Sequence, residues 1–136
     1  GGVIVMDEET DMVDALYNIL RFYAHESCGQ CTPCREGTGW LQKICGRILR
    51  DDGRPEDPDM MLDLSKKMCG RTICVLADAA AFPCESIVSK FRAEFDEKIA
   101  AGNGHERTVH LGGPLVQPGA LSAHNQERLD ELQGGH

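Results

Sequence analysis

The sequence has no apolar run long enough to cross a lipid bilayer as a helix, which takes about 20 residues. The apolar stretch VIVM at residues 3–6 is also far too short for the core of a signal peptide. Positive charge is scarce, because 14 Lys and Arg stand against 22 Asp and Glu, for a net charge of −8. We therefore expect no nucleic-acid partner and no direct membrane span.

The sequence also lacks a G-x-G-x-x-G run of the kind that holds a dinucleotide. GTGW at residues 37–40 is only a short glycine pair inside a helical stretch. The five histidines show no metal-ligand spacing, and His25 fits a position near the end of a helix. We therefore expect no catalytic residue in this chain and no binding of FMN or NADH by it.

Cysteine, in contrast, is abundant and clustered. The chain has seven cysteines, and three of them, Cys28, Cys31 and Cys34, lie in ESCGQCTPCREG with two residues between each and the next. A secreted disulfide scaffold would spread an even number of cysteines through a loop-rich chain. We therefore infer a reducing compartment in which the thiols are kept for metal.

Three such thiols can bind three corners of a [4Fe–4S] cluster, which needs four thiolates. Thr38 occupies the position where a bacterial ferredoxin run would place its next cysteine. Cys45 and Cys84 fall on apolar helix faces and are interpreted as core residues. Of the two that remain, Cys74 is modestly preferred as the fourth ligand, because its loop can aim backbone N–H groups at a cluster while apolar neighbours exclude water. Cys69, at a helix end, remains the alternative.

Two other sites compete with the cluster. An all-cysteine zinc site usually has two C-x2-C pairs separated by a spacer, whereas here three thiols stand together. A structural zinc-binding interaction domain is therefore the alternative function. CTPC at residues 31–34 could also be a redox dithiol, but that motif needs a βαβ setting and leaves Cys28 unexplained.

Apolar residues at three- and four-residue spacing predict an all-α fold, an antiparallel four-helix bundle over residues 11–102. We expect helix N-caps at Thr10 and Thr32, and Pro83 at the opening of the last helix. The segment before Pro83 is predicted as a loop with at most one helical turn. The four helices are expected at roughly residues 11–25, 33–51, 58–68 and 83–102.

The two ends of the chain have a different composition. Residues 1–10 contain β-branched residues that suit the trailing strand of a preceding domain, so we expect the chain to be the C-terminal part of a longer protein or a cleaved segment. From Asn103 the sequence is broken by Gly and Pro up to Ser122, which could cap a short last helix. We expect residues 103–136 to form an extended tail that binds a partner or is disordered.

FYAHESCGQCTPCREGTGW, followed by GRTICVLADAAAFP and SIVSKFRAEF, resembles the NADH-binding flavoprotein subunit of respiratory complex I and related subunits of NAD-linked hydrogenases and formate dehydrogenases. The resemblance covers roughly residues 1–95. It implies a four-helix bundle with one [4Fe–4S] cluster held by Cys28, Cys31, Cys34 and Cys74, in preference to Cys69.

The resemblance also implies a function. The chain would be an electron-transfer module that takes electrons singly from reduced FMN in an NADH:quinone oxidoreductase or a related NAD-linked complex. FMN and NADH would bind to a flavin-bearing domain or subunit absent from this sequence, and neighbouring iron–sulfur subunits would be further partners. The location would be cytoplasmic, peripheral to the inner face of the membrane.

The expected electrostatics favour electron uptake. Cys34 falls near the second position of the second helix, where free N–H groups and the helix dipole stabilise negative charge. Arg35 and Arg71 either add positive charge near the cluster or are ordinary solvated side chains.

Overall fold

The computed structural model describes residues 3–102 of the 136-residue chain. These residues form five helices: α1 (Met12–Glu26), α2 (Thr32–Leu49), α3 (Asp57–Met68), α4 (Leu76–Lys90) and α5 (Arg92–Gly102). The predicted all-α class is confirmed. Among the described residues, no helix combines the length and the apolar character that a membrane span requires.

The predicted N-terminal strand is absent from the described part of the chain. Val3, Ile4 and Val5 carry no regular secondary structure and are 88%, 70% and 91% exposed. A strand needs a neighbour for its backbone hydrogen bonds, and residues 3–102 offer none. The predictions for the tail, including the helix after Ser122, lie outside the described residues.

Helices α1 to α4 form a bundle. Helix α1 packs on α2 and α4, α3 packs on the same two helices, and α5 contacts α1, α2 and α4. Short connections between packed neighbours make consecutive helices antiparallel. The predicted apolar stripes supply the core, whose buried members include Val13, Leu16, Leu20, Leu41, Ile44, Ile48, Met61, Met68, Val88, Phe95 and Ile99.

Because consecutive helices are antiparallel, alternate connections lie at the same end of the bundle. The connection from α1 to α2, residues 27–31, and the one from α3 to α4, residues 69–75, lie at the same end. The connection from α2 to α3, residues 50–56, lies at the other end. The two cysteine-bearing loops are therefore neighbours, although about 40 positions separate them in sequence.

The cap of α1 differs from the prediction. Asp11, not Thr10, is the N-cap, and its carboxylate accepts hydrogen bonds from the N–H groups of Val13 (2.9 Å) and Asp14 (3.1 Å). Partial burial raises the pKa of Asp11, but the hydrogen bond and charge of Lys98 and the two backbone donors lower the pKa overall. The stability that Asp11 contributes is therefore present above its unfolded pKa and is lost as pH falls through the lower folded value.

The start of α4 was predicted wrongly. The helix begins at Leu76, and Pro83 lies inside it instead of opening it. Proline removes one backbone donor and normally disfavours a helix interior. Here the turn before Pro83 buries Ala77, Ala80 and Ala81 completely, so tertiary packing holds this segment in the helix.

The last predicted helix is also divided in two. Helix α4 ends at Lys90, Phe91 is its C-cap, and α5 starts at Arg92. The apolar stripe survives the break, since Phe95 and Ile99 are buried in the core. The fold is thus a four-helix bundle with an additional short helix, in place of four helices alone.

Of the two glycines of GTGW, only Gly37 is required by packing. Both lie in the interior of α2, and Gly37 is buried. A Cβ on Gly37 would come within 2.5 Å of Met68 Sδ, so glycine permits the close approach of α3. A Cβ on Gly39 would meet no heavy atom within 4 Å, so packing does not require glycine at that position.

A buried carboxylate secures the other end of the bundle. Asp57, the first residue of α3, has no exposed side-chain surface. Its Oδ2 accepts hydrogen bonds from Arg47 Nε (3.0 Å) and from the N–H of Arg54 (2.9 Å), and Arg47 Nη2 binds its Oδ1. The carboxylate thus connects α2, the following connection and α3.

We expect Asp57→Ala to lower the free energy of unfolding by about 3 kcal/mol, because it leaves Arg47 without its buried partner. Asp63→Ala is the matched control, since Asp63 pairs with Lys67 at the surface of the same helix. We expect that control to change stability by less than about 0.5 kcal/mol. Urea unfolding of both variants measures the difference, and equal losses would contradict the assignment.

Candidate metal centre

The cysteine loop joins α1 to α2. Cys28 is exposed, Cys31 is half-buried and Cys34 is buried. Gly29 turns the chain with a φ of +78°, a conformation that suits glycine. The three thiols therefore run from the surface into the bundle end over a single turn and the start of a helix.

The start of α2 differs slightly from the prediction. Cys31 is the N-cap and makes no side-chain capping hydrogen bond, whereas Thr32 is the first helical residue. Cys34 is accordingly the third helical residue, one position later than expected. With no side-chain cap, the first turn keeps free N–H groups beside the thiols, and the positive end of the helix dipole lies there.

A hydroxyl that sequence analysis missed contacts the buried thiol. Ser27 Oγ lies 3.2 Å from Cys34 Sγ, and the N–H of Gly29 reaches the same oxygen at 3.4 Å. Ser27 is the C-cap of α1. Ser27 stands immediately before Cys28, near a predicted helix end. That position was the one signal in the sequence that could have indicated its contact with the site.

The second loop contributes Cys74. Its backbone approaches the first loop, since the N–H of Ile73 donates to Cys31 Sγ at 3.5 Å. The Thr72 hydroxyl donates to the carbonyl oxygen of Cys74 at 2.8 Å, which shapes the turn. Cys74 itself is exposed. The loop thus brings both a backbone donor and a thiol to the end of the bundle that holds the first three cysteines.

One expectation about this loop is wrong for the described residues. The apolar neighbours of Cys74 were expected to exclude water from the site. Instead, Ile73 is 85% exposed and Val75 is 77% exposed. A loop of seven residues at a bundle end has no layer above it, so nothing in residues 3–102 covers these side chains.

Cys69, the alternative fourth ligand, is in a less favourable setting. It is the half-buried C-cap of α3. Burial, the charges of Asp78 and Glu85, and a hydrogen bond to Asp78 all raise the pKa of its thiol. A raised pKa disfavours the thiolate, which is the form that binds metal.

Cys45 and Cys84 have no exposed surface. Burial is the main cause that raises the pKa of both thiols, to about 11 for Cys84. The Cys45 thiol donates to the carbonyl oxygen of Val13 at 3.5 Å. Their interpretation as core residues is therefore confirmed.

The charged neighbours of the loop have local roles. Arg35 Nη1 donates to the carbonyl oxygen of Gly29 at 2.9 Å, and its Nε donates to Glu36 at 3.0 Å. The guanidinium therefore holds the loop, and Glu36 partly offsets its charge. Arg71 is exposed. His25 lies in the last turn of α1 and pairs with Glu26 at 3.1 Å, as a helix-end residue.

Within residues 3–102, no three Cys, His, Asp or Glu side chains converge closely enough to hold a metal ion. The two loops are adjacent, but Cys28 and Cys74 are both exposed. The chemistry of the donors still fits an iron–sulfur cluster, since thiols lie on two adjacent loops and the start of α2, a backbone N–H donates to the Cys31 sulfur and a hydroxyl lies beside the Cys34 sulfur. The assignment of the four ligands stays a prediction.

In the cluster-free chain, the reactivity of the seven cysteines should follow the exposure of their thiols. We expect a thiol-alkylating reagent to modify Cys28 and Cys74 first, and Cys45 and Cys84 only after unfolding, because burial blocks access and disfavours the thiolate. Timed alkylation with peptide mass spectrometry gives the order, and alkylation in urea is the control for full reactivity. Fast modification of Cys84 in the folded chain would contradict its burial.

Residues 14–98 match the family model described as the NADH-ubiquinone oxidoreductase-F iron-sulfur binding region. Two relatives, from Rickettsia bellii and Rhizobium meliloti, are named as F subunits of NADH-quinone oxidoreductase, and each is 46% identical to this chain. The first aligns over 99 residues, which is 73% of this chain and 24% of the relative. The second aligns over 97 residues, 71% of this chain and 22% of the relative.

A solved structure is similar as well. A chain in the crystal structure of an NAD+-reducing [NiFe]-hydrogenase in the H2-reduced state matches with a TM-score of 0.66 and 26% identity. The match covers 97% of this chain and 21% of the hydrogenase chain. This chain therefore spans about a quarter or less of the length of the relatives that it matches. The predicted family resemblance is confirmed.

Proposed function

Because this chain belongs to the family of NADH-ubiquinone oxidoreductase-F iron-sulfur binding regions, we propose that it holds one [4Fe–4S] cluster as a one-electron relay. Membership of this family identifies the chain as an iron–sulfur electron-transfer module. The cluster type, its ligands and its electron donor are the proposal. The contact between the two cysteine loops, from the Ile73 N–H to Cys31 Sγ, carries it.

The proposed ligands are the thiolates of Cys28, Cys31, Cys34 and Cys74. Two come from the first loop, one from the start of α2 and one from the loop that lies beside them, which supplies the four thiolates that such a cluster needs. Two further features support this set. The sulfurs of Cys31 and Cys34 have hydrogen-bond donors beside them, and the raised pKa of Cys69 makes that thiol the poorer ligand.

When bound there, a [4Fe–4S] cluster supplies one-electron transfer. The chain's own residues would hold it at the positive end of the α2 dipole, where free N–H groups favour the added negative charge. Reduced FMN is the proposed electron donor. It carries two electrons, which would pass to the cluster one at a time. The zinc alternative gains no support from a family that is described as iron–sulfur binding.

The activity of the longer protein, of which this chain would be one part, is also proposed. The relatives are subunits of NADH-quinone oxidoreductases, and most of their length lies outside the part that this chain matches. We propose that the FMN and NADH sites lie in a domain or subunit corresponding to that remainder, with neighbouring iron–sulfur subunits as electron acceptors. In such a complex, respiratory or hydrogenase-like, this domain would be peripheral, on the cytoplasmic side of the membrane.

Serine substitutions test the ligand set. Anaerobic reconstitution should give about four irons and four sulfides per chain. We expect Cys28→Ser, Cys31→Ser, Cys34→Ser and Cys74→Ser to lose or strongly destabilise the cluster. Cys69→Ser is the matched control from the same loop as Cys74 and should keep it. A cluster that survives Cys74→Ser but not Cys69→Ser would reverse the assignment of the fourth ligand.

The second test concerns electron entry. We expect the isolated chain with its cluster to be reduced by dithionite, a chemical electron donor, but not by NADH, because hydride transfer needs a flavin and a nicotinamide site. Anaerobic visible spectra and low-temperature electron paramagnetic resonance follow the reduction. The same chain joined to a flavin-bearing domain should be reduced by NADH. Rapid stoichiometric reduction of the isolated chain by NADH would refute the relay.

A further inference from the structure

We propose that Ser27 is a positioning residue whose hydroxyl donates to the Cys34 sulfur and thereby raises the reduction potential of the site. This inference rests on the proposed function, since it needs an iron–sulfur cluster on Cys34. The observation behind it is the 3.2 Å separation of Ser27 Oγ and Cys34 Sγ. Ser27 is half-buried and Cys34 is 7% exposed, so the sulfur side of this contact is shielded from water.

The position of Ser27 is set by a helix. Its backbone N–H donates to the carbonyl oxygen of Tyr23 at 3.1 Å, which makes it the C-cap of α1. Cys34 lies in the first turn of α2, and α1 packs directly on α2. The distance between hydroxyl and sulfur is therefore controlled by the packing of two helices and does not depend on the cysteine loop alone.

The hydroxyl is also oriented. The N–H of Gly29 donates to Ser27 Oγ at 3.4 Å and occupies one of its lone pairs. Arg35 holds the same turn by donating to the carbonyl oxygen of Gly29 at 2.9 Å. With its acceptor side engaged by Gly29, the hydroxyl has its proton available for Cys34.

The direction of this hydrogen bond follows from the state of the sulfur. In the free thiol, either atom could donate. A metal-bound cysteine is a thiolate and has no proton, so only Ser27 can donate. The serine keeps its proton throughout, and no bond is formed or broken when the oxidation state changes.

The effect on the potential follows from charge. One-electron reduction adds one negative charge to the site, and part of it is carried by the ligand sulfurs. A donor aimed at a sulfur interacts more strongly with the more negative state, so it favours the reduced form. Removing the hydroxyl should therefore lower the midpoint potential without removing a ligand.

The experiment compares midpoint potentials of the reconstituted chain and three variants by redox titration followed with electron paramagnetic resonance. Ser27→Ala removes the hydroxyl, and we expect its reduction equilibrium constant to fall about tenfold, equivalent to about 59 mV for one electron. Ser27→Thr keeps a hydroxyl and should restore most of the potential. Ser89→Ala is the matched control, because it removes an exposed serine hydroxyl in the last turn of α4, at the end of the bundle away from the cysteines.

A second readout detects the proton itself. Electron–nuclear double resonance of the reduced chain, compared in H2O and D2O, should show an exchangeable coupled proton in the original chain and in Ser27→Thr. That signal should be absent in Ser27→Ala and unchanged in Ser89→Ala. A purely structural role for Ser27 would not remove one specific exchangeable proton while iron and sulfide content stay the same.

The outcomes separate this inference from the proposed function. If the original chain binds no iron–sulfur cluster, both fail. If it binds one and Ser27→Ala has the same potential, or Ser89→Ala shifts as much, only the role of Ser27 fails. If Ser27→Ala cannot assemble a cluster, Ser27→Gly replaces it, and failure of both would show a role in assembly and overturn the tuning role.

Discussion

The antiparallel packing of the helices is the constraint on which the candidate site depends. Because α1 packs on α2 and α3 packs on α4, the two connections within these pairs must emerge at the same end of the bundle. Contacts of α1 with α4 and of α2 with α3 then hold the two pairs together. The Ile73 N–H reaches Cys31 Sγ as a result of this order. Any change that separated the helix pairs would separate the loops.

The opposite end of the bundle is secured by different chemistry. There, the buried carboxylate of Asp57 accepts from Arg47 and from the backbone of Arg54, and Lys98 pairs with Asp11. Arg92 connects α5 to Asp59 on α3 in a pair that is largely exposed. Removing one partner of a buried, hydrogen-bonded charge pair costs far more folding free energy than removing one partner of an exposed pair. The end of the bundle away from the cysteines therefore contains the charged contact whose disruption we expect to cost most stability.

The cysteines lie in two settings, the core of the bundle and the end where the two connections meet. Cys45 and Cys84 lie in the core, where burial raises their pKa and keeps them protonated. Cys28 and Cys74 lie on exposed loops at one end. A thiolate for metal is available only where desolvation is small or where donors compensate it. Burial therefore makes Cys45 and Cys84 poor candidates for metal ligands.

The sequence by itself determined the all-α class, the apolar stripes of the helices and the identity of the cysteine cluster, because each depends on local spacing. Periodicity of three and four residues identifies a buried face wherever the helix exists, so Phe95 and Ile99 were placed correctly even though their helix was not. The tertiary structure decided the rest. Pro83 lies inside α4 because burial of Ala77, Ala80 and Ala81 outweighs a local preference, and β-branched residues near position 4 form no strand without a partner. The contact of Ser27 with Cys34 likewise needs two helices packed together, and no spacing in the sequence encodes that distance.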